Sequence, residues 1–299
     1  MSKAPRRFKK SYGYVENTIA TIDDDGTQAS GNNDGPTAKA AFKDFVVNTC
    51  KVDEDEGHRE RDFRRESKGS SPNVYCVDES RVVLKWGTGG DYIHANWVTI
   101  DDGRKYICTQ GPTAATIDDF WRMVWQEKCK SIVMLCNIKP GNNLTVKATS
   151  KIEFEKVMTL THLQMTDGKE TLEVDHIIWN NWPDRGVPVD TLTVFKMLTK
   201  IKRLSPTVIH CSAEIGRTGT VVGMDILHTK LMKSESATLK QVVTDLRKCR
   251  HGSVQMDIQY LYLARVTLAF AVNKKLVNDS DIADFVAQYE ALCKARGFM

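Results

Sequence analysis

The sequence contains no apolar run that approaches the roughly 20 residues needed to cross a bilayer as a helix, although 41% of its 299 residues are hydrophobic. Its basic start, Met1 to Lys10, is followed by no apolar segment, so no secretory leader is expected. That predicts an intracellular, cytoplasmic protein with reduced thiols. The eight cysteines include no Cys-x-x-Cys pair and fit no metal-ligand spacing, so neither a metal nor another cofactor is expected. Without a leader, the glycosylation-type triplets Asn143-Leu-Thr145 and Asn278-Asp-Ser280 are read as chance matches. Charge of one sign is also lacking. With 42 basic against 38 acidic residues the net charge is +4, and no long basic run exists, which argues against a nucleic-acid partner. No internal repeat is visible.

What is present is one stretch that organises the rest, Ser205-Pro-Thr-Val-Ile-His-Cys-Ser-Ala-Glu-Ile-Gly-Arg-Thr-Gly-Thr220. Thr207 to Ile209 is a β-branched run and predicts a buried strand. From Gly216 the pattern turns helical, through Val221, Met224, Leu227 and Leu231. The loop between them, Cys211 to Arg217, falls where a strand ends and a helix begins, and N–H groups at such a helix start bind anions. A thiol held there has its pKa lowered by the same dipoles and by a nearby arginine. Arg217 supplies a planar fork that can grip two phosphate oxygens. A thiolate in an anion cradle points to attack on a phosphoryl group and a phosphocysteine intermediate.

Taken in order, Met1 to Lys39 is polar and without periodicity, which predicts a disordered tail ahead of a single domain over 40–299. Ala40 to Arg65 reads as helical, with Phe42, Phe45 and Val46 on one face, and Lys68 to Asn73 as a loop. Strands are expected at Arg81–Trp86, Tyr92–Ile100 and Lys105–Thr109, then a helix capped by Thr116 and a central strand at Ser131–Cys136. Lys139 to Ser150 reads as polar and turn-rich. Two more strands are expected at Ile152–Leu160 and Leu172–Trp179, joined near Thr166 to Gly168. Asp190 to Lys202 is a predicted helix, Ser236 is a predicted cap for the next, and Arg247 to Tyr260 leads into another. A last helix is expected to start at Ser280 and stop at Gly297.

The loop His210 to Gly219 resembles that of the cysteine-dependent protein tyrosine phosphatases, which carry His-Cys-Ser-Ala-Gly-Ile-Gly-Arg-Thr-Gly there. Asn181-Trp-Pro-Asp-Arg-Gly-Val-Pro188 resembles the mobile loop of the same family without departure. Asp91-Tyr-Ile-His-Ala-Asn96 and Thr109-Gln-Gly-Pro112 are similar to further family motifs, and Gln255 and Gln259 match its glutamine motif. The resemblance covers about Ala40 to Val272. It implies an α/β fold, a strongly twisted mixed sheet flanked by helices. It implies that Cys211 is the nucleophile and that Asp184, on the flap, is acid and then base. Ser212, Ala213, Glu214, Ile215, Gly216 and Arg217 would cradle the phosphate, Thr218 would steady the thiolate, Gln259 would place the water, and Gln255 would line the substrate. The implied partners are phosphotyrosine-containing proteins.

Three departures stand against this. Glu214 replaces a glycine in the cradle, which adds repulsion of order 1–5 kcal/mol toward a dianionic phosphate at an effective dielectric of roughly 20 to 80. Ser71 and Asn73 fall where the family has the tyrosine that walls the substrate ring and the aspartate that holds the substrate backbone, unless Tyr75 takes over. A Lys-Cys-x-x-Tyr-Trp-Pro stretch has no match between Asn137 and Phe154. Besides phosphotyrosine hydrolysis, the sequence leaves open a phosphatase-fold module that binds phosphorylated protein or sequesters a kinase with little turnover, and a phosphatase acting on lipid or phosphoserine.

Overall fold

Strand β8, Thr207–Cys211, has every residue buried and lies in the middle of an eight-stranded sheet. The computed structural model to which it belongs describes residues 36–50, 74–136, 145–212 and 215–298. The other strands are β1 (Arg81–Val83), β2 (Tyr92–Thr99), β3 (Lys105–Gln110), β4 (Ser131–Met134), β5 (Thr145–Phe154), β6 (Met158–Thr166) and β7 (Thr171–Trp179), in the order β1-β2-β3-β8-β4-β7-β6-β5. Pairs β3–β8, β8–β4 and β4–β7 are parallel, and the outer pairs are antiparallel. The sheet is therefore mixed, as expected. Its parallel centre is apolar because helices cover both faces.

The helices are α1 (Pro36–Cys50), α2 (Ile117–Gln126), α3 (Thr193–Ile201), α4 (Arg217–Met232), α5 (Leu239–Cys249), α6 (Asp257–Asn273) and α7 (Ala283–Ala295). Alternation along β8 sorts its side chains between two layers. Val208 joins the core built by Phe120, Met123, Val124 and Trp125 of α2 with Ile107 and Ile132. His210, on the same face, meets Phe120 edge-on at 5.5 Å. Cys211 turns to the opposite face, where α4 packs on β8 and β3 and is backed by α6. Burial of Val221, Val222, Met224 and Leu227 fixes α4 there, and with it the position of Arg217.

Four local expectations are corrected. Helix α1 begins at Pro36, inside the stretch assigned to the tail, because proline fits the first helical position. The rest of the stretch read as a tail, the continuation of the helix expected beyond Cys50 and the expected loop with Ser71 and Asn73 fall outside the described residues. Residues 145–160 form most of a hairpin rather than the end of a turn-rich stretch and one strand: β5 starts at Thr145, inside the stretch read as turn-rich, and ends at Phe154, and β6 starts at Met158. Glu155 and Lys156 both sit at positive φ, 53° and 55°, so the turn is made without the Asn-Gly signature that would have announced it. Helix α5 is capped by Thr238, whose side chain accepts the Gln241 N–H at 3.2 Å, and not by Ser236. Asn278 and Asp281, rather than Ser280, box the 3-10 turn ahead of α7.

Candidate active site

Cys211 ends β8, 2% exposed, and Arg217 opens α4. The five residues between them must turn from strand to helix, which aims the first N–H groups of α4 toward the loop. Ala213 and Glu214 lie outside the described residues. Ile215 and Gly216 are buried, and Ser212 is exposed at the mouth.

Arg217 is the hub. Its Nη1 donates to Trp182 O at 3.1 Å, and its Nη2 donates to Asp184 Oδ1 and to Ser212 Oγ, both at 3.0 Å. Arg217, 5% exposed, thus joins the loop after β8 to the 181–188 flap. The Asp184 side chain is 72% exposed, so its carboxylate reaches Arg217 from the solvent side. The guanidinium is planar by its own delocalisation, and burial and three partners fix its orientation, as bidentate recognition of an oxyanion needs.

The flap is tied down at Gly186. Its carbonyl accepts Trp182 Nε1 at 3.1 Å and Gln259 Nε2 at 3.3 Å, while its N–H donates to Pro183 O at 3.2 Å. Trp182 is anchored edge-on between Trp179 and Tyr262. At the far end of the flap, Asp190 Oδ1 accepts the N–H groups of Leu192 and Thr193 and so starts α3.

Gln259 is fully buried, and both ends of its amide are engaged: Oε1 accepts Met256 N at 3.1 Å and Nε2 holds the flap. The Gln259 amide also faces Gly216, its Nε2 and Oε1 lying 3.1 and 3.2 Å from the position a Cβ there would take; Gln255, half-buried, brings its Oε1 to 3.4 Å from the same point. Thr218 is buried, and its hydroxyl has no hydrogen-bond partner among the described residues. Tyr75 is exposed and sits edge-on to His251, ring centres 5.6 Å apart.

Residues 250–255 brace the loop from behind, a role the sequence did not reveal. Val254 N donates to Ile215 O at 2.7 Å, and Arg247 holds the carbonyls of Ser253 and Val254 at 2.9 and 3.1 Å. Gly219 allows the close approach, since a Cβ there would lie 2.5 Å from Val254 N. In the sequence, Arg247 to Tyr260 reads as the lead into a helix and carries no signal of this contact. Nor did the sequence single out the backbone carbonyls of Trp182 and Gly186, because any residue has one.

Burial sets the protonation of three groups near the site. Burial pushes the Cys108 thiol up to about 12 and the Cys136 thiol up to about 11, so both stay protonated. Desolvation, with His176 nearby, holds His210 down at about 3, so its ring is neutral. Its Nδ1 is buried and unpaired among the described residues. Those residues contain no cluster of three or more His, Cys, Asp or Glu able to hold a metal, and no helix among them is long and apolar enough to cross a membrane.

The family model described as protein-tyrosine phosphatase matches residues 65–147 and 140–269. The chain is 34% identical over 223 residues to a tyrosine-protein phosphatase Lar-like of Caenorhabditis elegans, covering 66% of this chain and 10% of that protein. It is 32% identical over 228 residues to the mouse tyrosine-protein phosphatase non-receptor type 18, covering 66% of this chain and 50% of that protein. A probable tyrosine phosphatase protein N1 of Microplitis demolitor bracovirus is 31% identical over 228 residues, covering 64% of this chain and 72% of that protein. The chain thus spans a tenth of the worm protein and half of the mouse one. The crystal structure of the catalytic domain of human protein tyrosine phosphatase non-receptor type 18 matches with a TM-score of 0.62 at 27% identity, covering 79% of this chain and 99% of that domain. The matched segments run from ahead of β1 into α6, and so take in the sheet, the flap and the strand-to-helix turn that sets Cys211 against Arg217; the chain belongs to the protein-tyrosine phosphatase family.

Proposed function

We propose that this chain hydrolyses phosphotyrosine in proteins through a phosphocysteine intermediate. The observation that carries the reading is the triple engagement of Arg217, which brings the flap carboxylate of Asp184 and the loop hydroxyl of Ser212 to one guanidinium. An incoming phosphate takes over the Nη2 that Asp184 and Ser212 share. The loop amides of 212–216 and Arg217 then surround the phosphoryl oxygens and stabilise charge as it develops. Released from Arg217, Asp184 faces the leaving oxygen.

The Cys211 sulfur attacks phosphorus, the P–O bond to tyrosine breaks, and the phenol oxygen leaves with the proton of the Asp184 carboxyl. Water then attacks the phosphocysteine, Asp184 takes its proton, and Cys211 departs as thiolate with inorganic phosphate released. In this scheme the Gln259 amide holds the flap that carries Asp184 and, beside Gln255, reaches Gly216 of the cradle, from where it places the attacking water. Thr218 offers its unpaired buried hydroxyl beside the loop. Phosphotyrosine proteins as substrates are supported by the solved complexes of PTPN18 with HER2 phosphopeptides, 27% and 26% identical to this chain. A nucleophilic thiolate also calls for a reducing, cytoplasmic setting.

Turnover of a small aryl phosphate by the wild type beside Cys211→Ser tests the reading. The variant should lose turnover and keep binding of a phosphate analogue. Turnover in the variant above a few per cent of wild type overturns the phosphocysteine mechanism. A wild type that binds phosphotyrosine peptide without hydrolysing it makes the chain a binding module instead.

A further inference from the structure

The segment that follows α7 reaches back to the flap. Gly297 adopts φ 72°, Gly297 N donates to Lys294 O at 3.1 Å, and Phe298 N donates to Cys293 O at 3.0 Å. This left-handed ending of the helix turns the chain back on itself. It delivers the Phe298 ring onto Gly186: a Cβ on Gly186 would lie 2.6 Å from Phe298 Cε1 and 3.0 Å from Cδ1. The ring therefore rests on the bare α-carbon of the residue that knots the flap. One position before the turn, Arg296 grips Asp257 with two hydrogen bonds, at 2.6 and 2.7 Å. Asp257 is the first residue of α6, beside Gln255 and Gln259. An exposed ion pair of this kind adds little stability, but two parallel bonds fix a direction. Farther along, a cavity lined by Val187, Pro188, Arg265, Tyr289, Cys293 and Phe298 lies between the flap and α7, so packing there is incomplete.

We propose that Phe298 is a positioning residue that seats the flap against Arg217 by covering Gly186, with Arg296 anchoring it to Asp257 at the start of α6. Asp184 lies two residues from Gly186 on a segment stiffened by Pro183 and Pro188. Displacement at Gly186 therefore moves the acid and the Trp182 carbonyl together, and leaves Cys211 and the loop in place. The proposal rests on the phosphatase reading above.

The full chain and its Phe298→Ala, Phe298→Leu and Arg296→Lys variants test it with two readouts. Kinetically, Phe298→Ala should lower kcat on phosphotyrosine by about tenfold or more, a fraction of the 10²–10⁴ that general acid catalysis supplies. On an aryl phosphate whose leaving group needs no proton, the change should stay within about twofold. Phe298→Leu should recover much of the loss, and Arg296→Lys should fall between, because lysine cannot make the double contact. The second readout is amide hydrogen exchange across 183–189, which should quicken in Phe298→Ala while exchange in β8 and α4 stays unchanged. This readout needs no turnover, so an inactive wild type would sink the phosphatase reading and leave the seating of the flap still under test. Wild-type exchange across the flap in Phe298→Ala overturns the proposal. Equal losses on both substrates overturn it as well, since they mark a general structural role.

Discussion

Helix α4 carries two glycines one turn apart, and the same substitution at each should have opposite consequences. A Cβ on Gly219 would lie 2.5 Å from Val254 N and 3.0 Å from Ser253 Cα, against backbone that Arg247 and the 2.7 Å bond to Ile215 O hold in place. Ordinary contact begins at 3.4 Å, so Gly219→Ala must drive the two segments apart by most of an ångström. Overpacking of this kind costs about 1–3 kcal/mol. Losing the Val254–Ile215 bond leaves a buried N–H unsatisfied for about 1–3 kcal/mol more. The gain in helix propensity returns about 1 kcal/mol. The net loss, roughly 1–5 kcal/mol, lowers Tm by roughly 2–20 °C in a domain of this size. It also shifts Gln255 away from the cradle, so kcat/KM should fall with stability. At Gly223 the new methyl would meet only Leu246 and Leu263 side chains at 3.6 and 3.7 Å, ordinary contact. Gly223→Ala should therefore hold Tm or raise it by about 2–4 °C. Scanning calorimetry and steady-state kinetics on the two variants decide the matter. A Gly219→Ala protein with wild-type Tm and kcat/KM refutes the reasoning, and so does a Gly223→Ala protein that loses as much.

Asp184→Ala should slow phosphotyrosine hydrolysis by about 10²–10⁴-fold and spare a leaving group that needs no proton; equal losses in the two assays would show that Asp184 is not the acid. Glu214→Gly should raise kcat/KM by about tenfold for each 1.4 kcal/mol of relieved repulsion and strain. Glu214→Gln should recover only a part that shrinks as salt rises, and a fall in activity for the glycine variant refutes the repulsion argument. Lys156→Gly relieves positive φ in the β5–β6 turn and leaves the 2.6 Å pair of Glu155 with Lys196 intact. It should raise Tm by about 2–4 °C, and an unchanged or lower Tm in a thermal melt counts against that reading.

The sequence was informative wherever chemistry is tied to residue type at fixed spacing. The β-branched run before Cys211 and the helical pattern after Gly216 placed a strand-to-helix turn at the right residues, because both periodicities are local. The Trp182-to-Pro188 stretch marked a flap for the same reason, since proline and glycine act on their own backbone. Turns made by unusual residues were not legible. Glu155 and Lys156 occupy a conformation that tertiary packing of β5 and β6 enforces against their own preference.

Helix caps were legible only as types. Thr238 and Ser236 are equivalent on paper, and which hydroxyl meets an N–H depends on where the helix axis is drawn. What the sequence by itself determined, then, was the parts: a cysteine and an arginine around one turn, an aspartate on a loop held by two prolines, and the strands and helices that carry them. Only the tertiary structure decided their arrangement. It decided that Arg217 is shared between loop and flap, that Gln259 and Gln255 both reach Gly216 while Gln259 also holds the flap, that Gly219 admits Val254, and that Phe298 lies on Gly186. Each of these joins residues that are distant in the chain, or uses a backbone atom or a missing side chain. A linear pattern does not carry such contacts, because the folded packing alone brings the groups within van der Waals or hydrogen-bond reach.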